Sequence, residues 1–172
     1  QILDNYYLSA QKSDIAFLKK MDTARLLAGF RTTAGIDTKG VRPYGGWEDS
    51  LLGGHCVGHY LTALAQAVKV TGDKELKEKS QTLIAGLEEC QKKLGTGFLF
   101  GAKVEDKEDV EKQFDILEGK KKGETWVPWY NMHKVLAGLV DTYKYTGNET
   151  ALLVAEKLGD WIYERVSKWD LK

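Results

Sequence analysis

The sequence predicts an all-α fold made of repeated helical hairpins, on three observations. Apolar residues recur at helical spacing through most of the chain; a Thr-Gly-(Asp/Asn) corner occurs twice between such stretches; and the two prolines, Pro43 and Pro128, both fall in Gly/Trp-rich segments that separate them. At 172 residues the chain has the length of one domain and can bury a single core without disulfides or metal. Repetition of this kind marks either an open solenoid or a closed α/α toroid, and the irregular period favours the toroid.

In chain order, the stretch from about Asp4 to Phe30 reads as one or two lead-in helices. From Gly54 to Val70, Val57, Leu61, Leu64 and Val68 form one apolar stripe. That helix stops at Thr71-Gly72, where glycine suits a left-handed C-terminal cap, and Asp73 can cap the next helix. Leu76, Leu83, Leu87 and Leu94 supply the apolar face of that second helix. The device then repeats: a helix through Leu136, Leu139 and Tyr143 ends at Thr146-Gly147, Asn148 caps, and Leu152, Leu158, Trp161 and Ile162 line its partner. Between the two hairpins runs a long connection, Gly95 to Trp129. Its charged stretches KVEDKEDVEK and EGKKKGE read as solvated, with a short helix near Asp109 to Leu117.

Charge and hydropathy exclude two classes of partner. Twenty-five basic residues cancel 25 acidic ones, and no basic stripe marks a phosphate track, so nucleic acid is not expected. No apolar run approaches the ~20 residues of a membrane span. The chain opens on Gln1, already amphipathic, so the native start is expected upstream, where a secretion signal would have been lost. Cys56 and Cys90 are too far apart for a CxxC pattern and form no disulfide framework.

Two segments concentrate groups that can carry chemistry. In YGGWEDSLLGGHCVGHYLTA, glycine turns bring Trp47, Glu48, Asp49, His55 and His59 to a helix entrance. At 100° per residue, His55, His59, Thr62 and Gln66 share the side opposite the apolar stripe, a polar face that would line a pocket or meet solvent. Trp47 offers a plane on which a sugar can stack. Glu48 either accepts paired hydroxyls and exchanges a proton, or caps a tight loop. His55 and His59 have the i, i+4 spacing of zinc ligands, with His133 or Cys56 as a third donor, but the metalloprotease glutamate is absent and neutral imidazoles bonding sugar hydroxyls fit better. In TWVPWYNMHK, Pro128 suits a helix's first turn or the preceding bend, Trp126, Trp129 and Tyr130 would shape a rim, and His133 would either reach the same cavity or pack as a core histidine.

Taken together, YGGWE, GHCVGHYLTALA, the TG(D/N) corners, Cys90-Gln91 and WVPWYNMHKVLAGLVDTYKYTGN resemble the bacterial β-L-arabinofuranosidases, from about Leu8 nearly to the end of the chain. The resemblance implies a catalytic domain of six helical hairpins closed into a ring, of which residues 1–172 are the amino-terminal portion, about half. It implies a carbohydrate substrate, β-linked L-arabinofuranosyl groups of plant glycans. It implies substrate-binding roles for His55, His59, His133, Trp47, Glu48, Trp129 and Tyr130. The family's retaining mechanism uses a zinc-bound cysteine as nucleophile and a glutamate as acid/base, both in segments beyond the equivalent of Lys172. Zinc is therefore expected in the complete enzyme and no metal in this stretch, with the carboxy-terminal half of the polypeptide as the required partner. Cys56 and Cys90 do not match the nucleophile's motif, and a Glu48/Glu124 pair is a fallback. Family habit implies secretion or the cell surface. A half-ring should expose an apolar edge and self-associate. The competing readings are a non-catalytic carbohydrate-binding or scaffolding module and a zinc protein built on His55 and His59.

Overall fold

A computed structural model describes residues 5–169, and among them there is helix but no strand. Asp4, where the sequence places the start of the lead-in helices, lies outside the described residues. Seven α-helices follow in order: α1 (Asn5–Lys20), α2 (Thr23–Thr33), α3 (His55–Thr71), α4 (Lys74–Leu94), α5 (Lys112–Leu117), α6 (Pro128–Thr146) and α7 (Glu149–Val166). No helix among the described residues is long and apolar enough to cross a membrane.

Six of these helices form three hairpins, each turned by local chemistry. Gly72 and Gly147 close α3 and α6 in the left-handed conformation, at φ 68° and 70°. Asp73 and Asn148 then accept from the Leu76 and Ala151 amides at 3.1 and 3.0 Å and start α4 and α7. The lead-in segment proves to be a third hairpin. Its corner, Met21-Asp22, carries no glycine, and Asp22 Oδ1 caps α2 through the Ala24 amide at 2.8 Å.

The hairpins lie side by side in two layers. α3 packs most extensively on α6 and also meets α1, while α4 sits between α2 and α7. One layer is therefore α1, α3, α6 and the other α2, α4, α7, the arrangement of an arc of α/α toroid. The α3–α6 contact is backbone on backbone: a Cβ on Gly58 would lie 2.0 Å from the Lys134 carbonyl oxygen, and one on Gly138 would lie 2.4 Å from that of Gly58. Gln91, of the Cys-Gln pair, ties α4 to α7 within the second layer by donating to Gly97 O and Val154 O at 2.8 and 3.0 Å.

The charged stretches of the long connection are exposed or half-buried, as expected, but the segments beside them enter the core. Phe98, Leu99, Phe100 and Phe114 are buried in the common core with Leu61, Leu83, Leu139 and Leu158. Its charges are only partly solvated, because Arg165 of α7 reaches across to Glu111, Asp115 and Glu118. One guanidinium fork offers enough donors for three carboxylates, so the acidic segment folds down onto α7.

Candidate functional site

The entrance to α3 is wound too tightly for side chains. A Cβ on Gly53 would lie 2.7 Å from Glu48 O, and Gly54, at φ +91°, abuts Gly101 and Phe30. Glu48, at the end of a 3₁₀ turn (Gly46–Asp49), folds its carboxylate back under the helix. Oε2 accepts from the Gly54 amide at 2.9 Å and Oε1 from the Cys56 amide at 3.3 Å, so the carboxylate caps a helix start that has no other side-chain cap.

The same Oε1 lies 2.7 Å from His55 Nδ1, and Leu52 O lies 2.9 Å from that nitrogen. A ring nitrogen between two acceptors carries the proton, which leaves Nε2 as the acceptor, with Cys56 Sγ 3.8 Å from it. Around this buried imidazole stand the rings of Trp47, His59 and Tyr130, with centroids 6.3, 6.1 and 6.2 Å from it. Lys134 Nζ sits 4.8 Å above the Tyr130 ring. His59 is held below its ordinary range, by loss of solvent first and then by Lys134, His55 and His133. It therefore stays neutral near pH 7.

Of the residues expected from sequence, Trp47, Glu48, His55, His59 and Tyr130 come together, and His133, exposed on α6, is near enough to act on His59. Trp129 does not join them. It is partly buried with its ring 4.9 Å from Phe114 and 5.5 Å from Trp169, because successive residues on a helix project about 100° apart. The polar face of α3 also divides: Thr62 donates to Asp141 of α6 at 2.8 Å, while Gln66 lines a groove between α1 and α3. Glu48 takes the second of the two readings given it, capping the loop, and it also orients His55. Asn131 and Lys134 were not singled out in the sequence. A polar Asn131 on the stripe that buries Met132, Val135 and Leu139 was the available signal.

The sequence assigns no metal to this stretch; Glu48, His55 and Cys56 bring ligand atoms within 4.8 Å of one another, a group that could hold a metal ion, and His59 is not part of it. Cys56 Sγ is 3.8 Å from His55 Nε2, close to the span that nitrogen and sulfur ligands of one tetrahedral ion make. Glu48 hydrogen-bonds the opposite ring nitrogen and so takes the outer-shell place that fixes a metal-binding imidazole. Burial and then Glu48 push the Cys56 thiol up to about 12, so without a cation it is no nucleophile at neutral pH.

Compared with known protein families, residues 1–172 match the model described as Beta-L-arabinofuranosidase, GH127 catalytic domain. No curated protein matches the chain.

Proposed function

The chain belongs to the beta-L-arabinofuranosidase GH127 catalytic-domain family of glycoside hydrolases, and we propose that it builds one wall of the pocket that binds a β-L-arabinofuranosyl group. The observation that carries this reading is the buried His55 imidazole, its Nδ1 proton held by Glu48 and Leu52 O and its ring surrounded by those of Trp47, His59 and Tyr130. Neutral His59 and exposed His133 contact sugar hydroxyls, and the aromatic rings cover the apolar face of the sugar. Glu48 works through His55, since both its oxygens are already engaged.

In this reading the nucleophile and the acid/base come from elsewhere in a longer polypeptide. Zinc is its metal, and among the described residues His55 Nε2 and Cys56 Sγ would hold such an ion, with Glu48 bracing the ring. When bound, zinc supplies the charge that stabilises a thiolate. The engagement of Glu48 also favours a second reading, a sugar-binding module without turnover, because it leaves that carboxylate unsuited to proton transfer.

The test is to assay residues 1–172 beside the full native polypeptide on an aryl β-L-arabinofuranoside, following released sugar. Activity in the full polypeptide alone is the expected result. Turnover by residues 1–172 would overturn the division of the site, and silence from both would favour the binding module.

A further inference from the structure

We propose that Asn131 is a positioning residue that, by holding the Leu52 carbonyl opposite Glu48, helps fix the tautomer and direction of His55; what this does for catalysis rests on the sugar-pocket reading above, but the geometry does not. Asn131 lies in the second turn of α6 and is 1% exposed. Its Nδ2 donates to Leu51 O at 3.2 Å and to Gly53 O at 3.3 Å, in the loop that enters α3. The carbonyl between them, Leu52 O, is the one facing His55 Nδ1. Three successive carbonyls are thus committed, the outer two to Asn131 and the middle one to the imidazole.

The orientation of the amide is forced, because the reverse would set Oδ1 against two carbonyl oxygens. As placed, Oδ1 is buried without a hydrogen-bond partner among the described residues. A side chain that served packing alone would be apolar here, as its stripe neighbours Met132, Val135 and Leu139 are. A half-satisfied amide is instead what the loop requires: two donors from a fixed point on α6. The preceding residue, Tyr130, brings its ring to 6.2 Å from His55. Asn131 therefore also sets the spacing between the two halves of the pocket.

The experiment is long-range nitrogen–proton NMR on residues 1–172 labelled with ¹⁵N-histidine, in wild type, Asn131→Ala and Asn131→Asp, with folding of each variant checked by circular dichroism. Wild type is expected to show His55 as a single Nδ1–H tautomer. Either variant that folds is expected to show His55 Nδ1 and Nε2 signals shifted from wild type toward their exchange average, since Glu48 is then left to hold the proton without a fixed Leu52 carbonyl, with the His133 signals unmoved. A wild-type His55 protonated on Nε2 overturns the proposal without any variant, and so does a folded variant whose His55 signals match wild type. Titration of wild type with L-arabinose tests the sugar reading separately: no shift at His55, His59 or His133 would count against that reading and leave the role of Asn131 to the tautomer result.

Discussion

His59 is the residue on which the pocket's pH response turns. Loss of solvent lowers its titration below 6.5, and Lys134, His55 and His133 lower it further. A histidine depressed in the folded state contributes stability that is present above its unfolded value and lost as pH falls through the folded one. His59 should therefore titrate lower in the folded chain than in the unfolded one and stay able to accept a sugar hydroxyl near pH 7. Lys134→Gln removes one cationic neighbour and should move the His59 titration upward, read by NMR; an unmoved titration would show that Lys134 does not act on the ring.

Where helices meet, two contacts are exposed to single substitutions. A methyl on Gly58 would collide with the Lys134 carbonyl of α6, and backbone cannot swing aside as a side chain can. Gly58→Ala is expected to cost about 3 kcal/mol. Gly159→Ala, on α7 with nothing within 4 Å, should be neutral or stabilising by up to about 1 kcal/mol. Denaturant midpoints compare the two, and equal effects would contradict the close α3–α6 packing.

The second contact is Arg165, which ties α7 to Glu111, Asp115 and Glu118. Burial alone would raise Asp115 and Glu118, but Lys121 and Arg165 on the first, and Lys120 and Arg165 on the second, outweigh it and hold both carboxyls below 3.8 and 4.5. Arg165→Met strands these charges and should cost about 3 kcal/mol at pH 7. Depressed carboxyls contribute stability above their ordinary range and lose it as pH falls. The Tm difference between wild type and Arg165→Met should accordingly narrow below about pH 4; a difference that is constant with pH would mean the cluster contributes no charge-dependent stability.

Across the whole molecule, three hairpins make an arc whose apolar surface is not all covered. Phe17 and Val70, each 63% exposed, border the groove between α1 and α3, and Leu153 and Tyr163 stand out on α7. Residues 1–172 alone should therefore show a mass that rises with concentration in sedimentation. A strict monomer at high concentration would mean these faces need no cover.

Local chemistry by itself determined the helices and their corners, because a left-handed glycine and a capping Asp or Asn act on their own neighbours whatever lies across the fold. It also gathered Trp47, Glu48, His55 and His59, which sit within twelve residues of one another on one turn and one helix. The hairpin at Met21-Asp22 was less legible, since its corner lacks the glycine of the other two. Tertiary structure decided the rest. Which way Trp129 and Tyr130 point depends on the rotation of α6 against α3, fixed by the Gly58–Gly138 contact. Glu48, His55 and Cys56 come together, and Asn131 becomes their brace, only because a carboxylate folds under α3 and an amide reaches from 80 residues away. Spacing along a chain encodes which face a side chain takes, but not what stands opposite it.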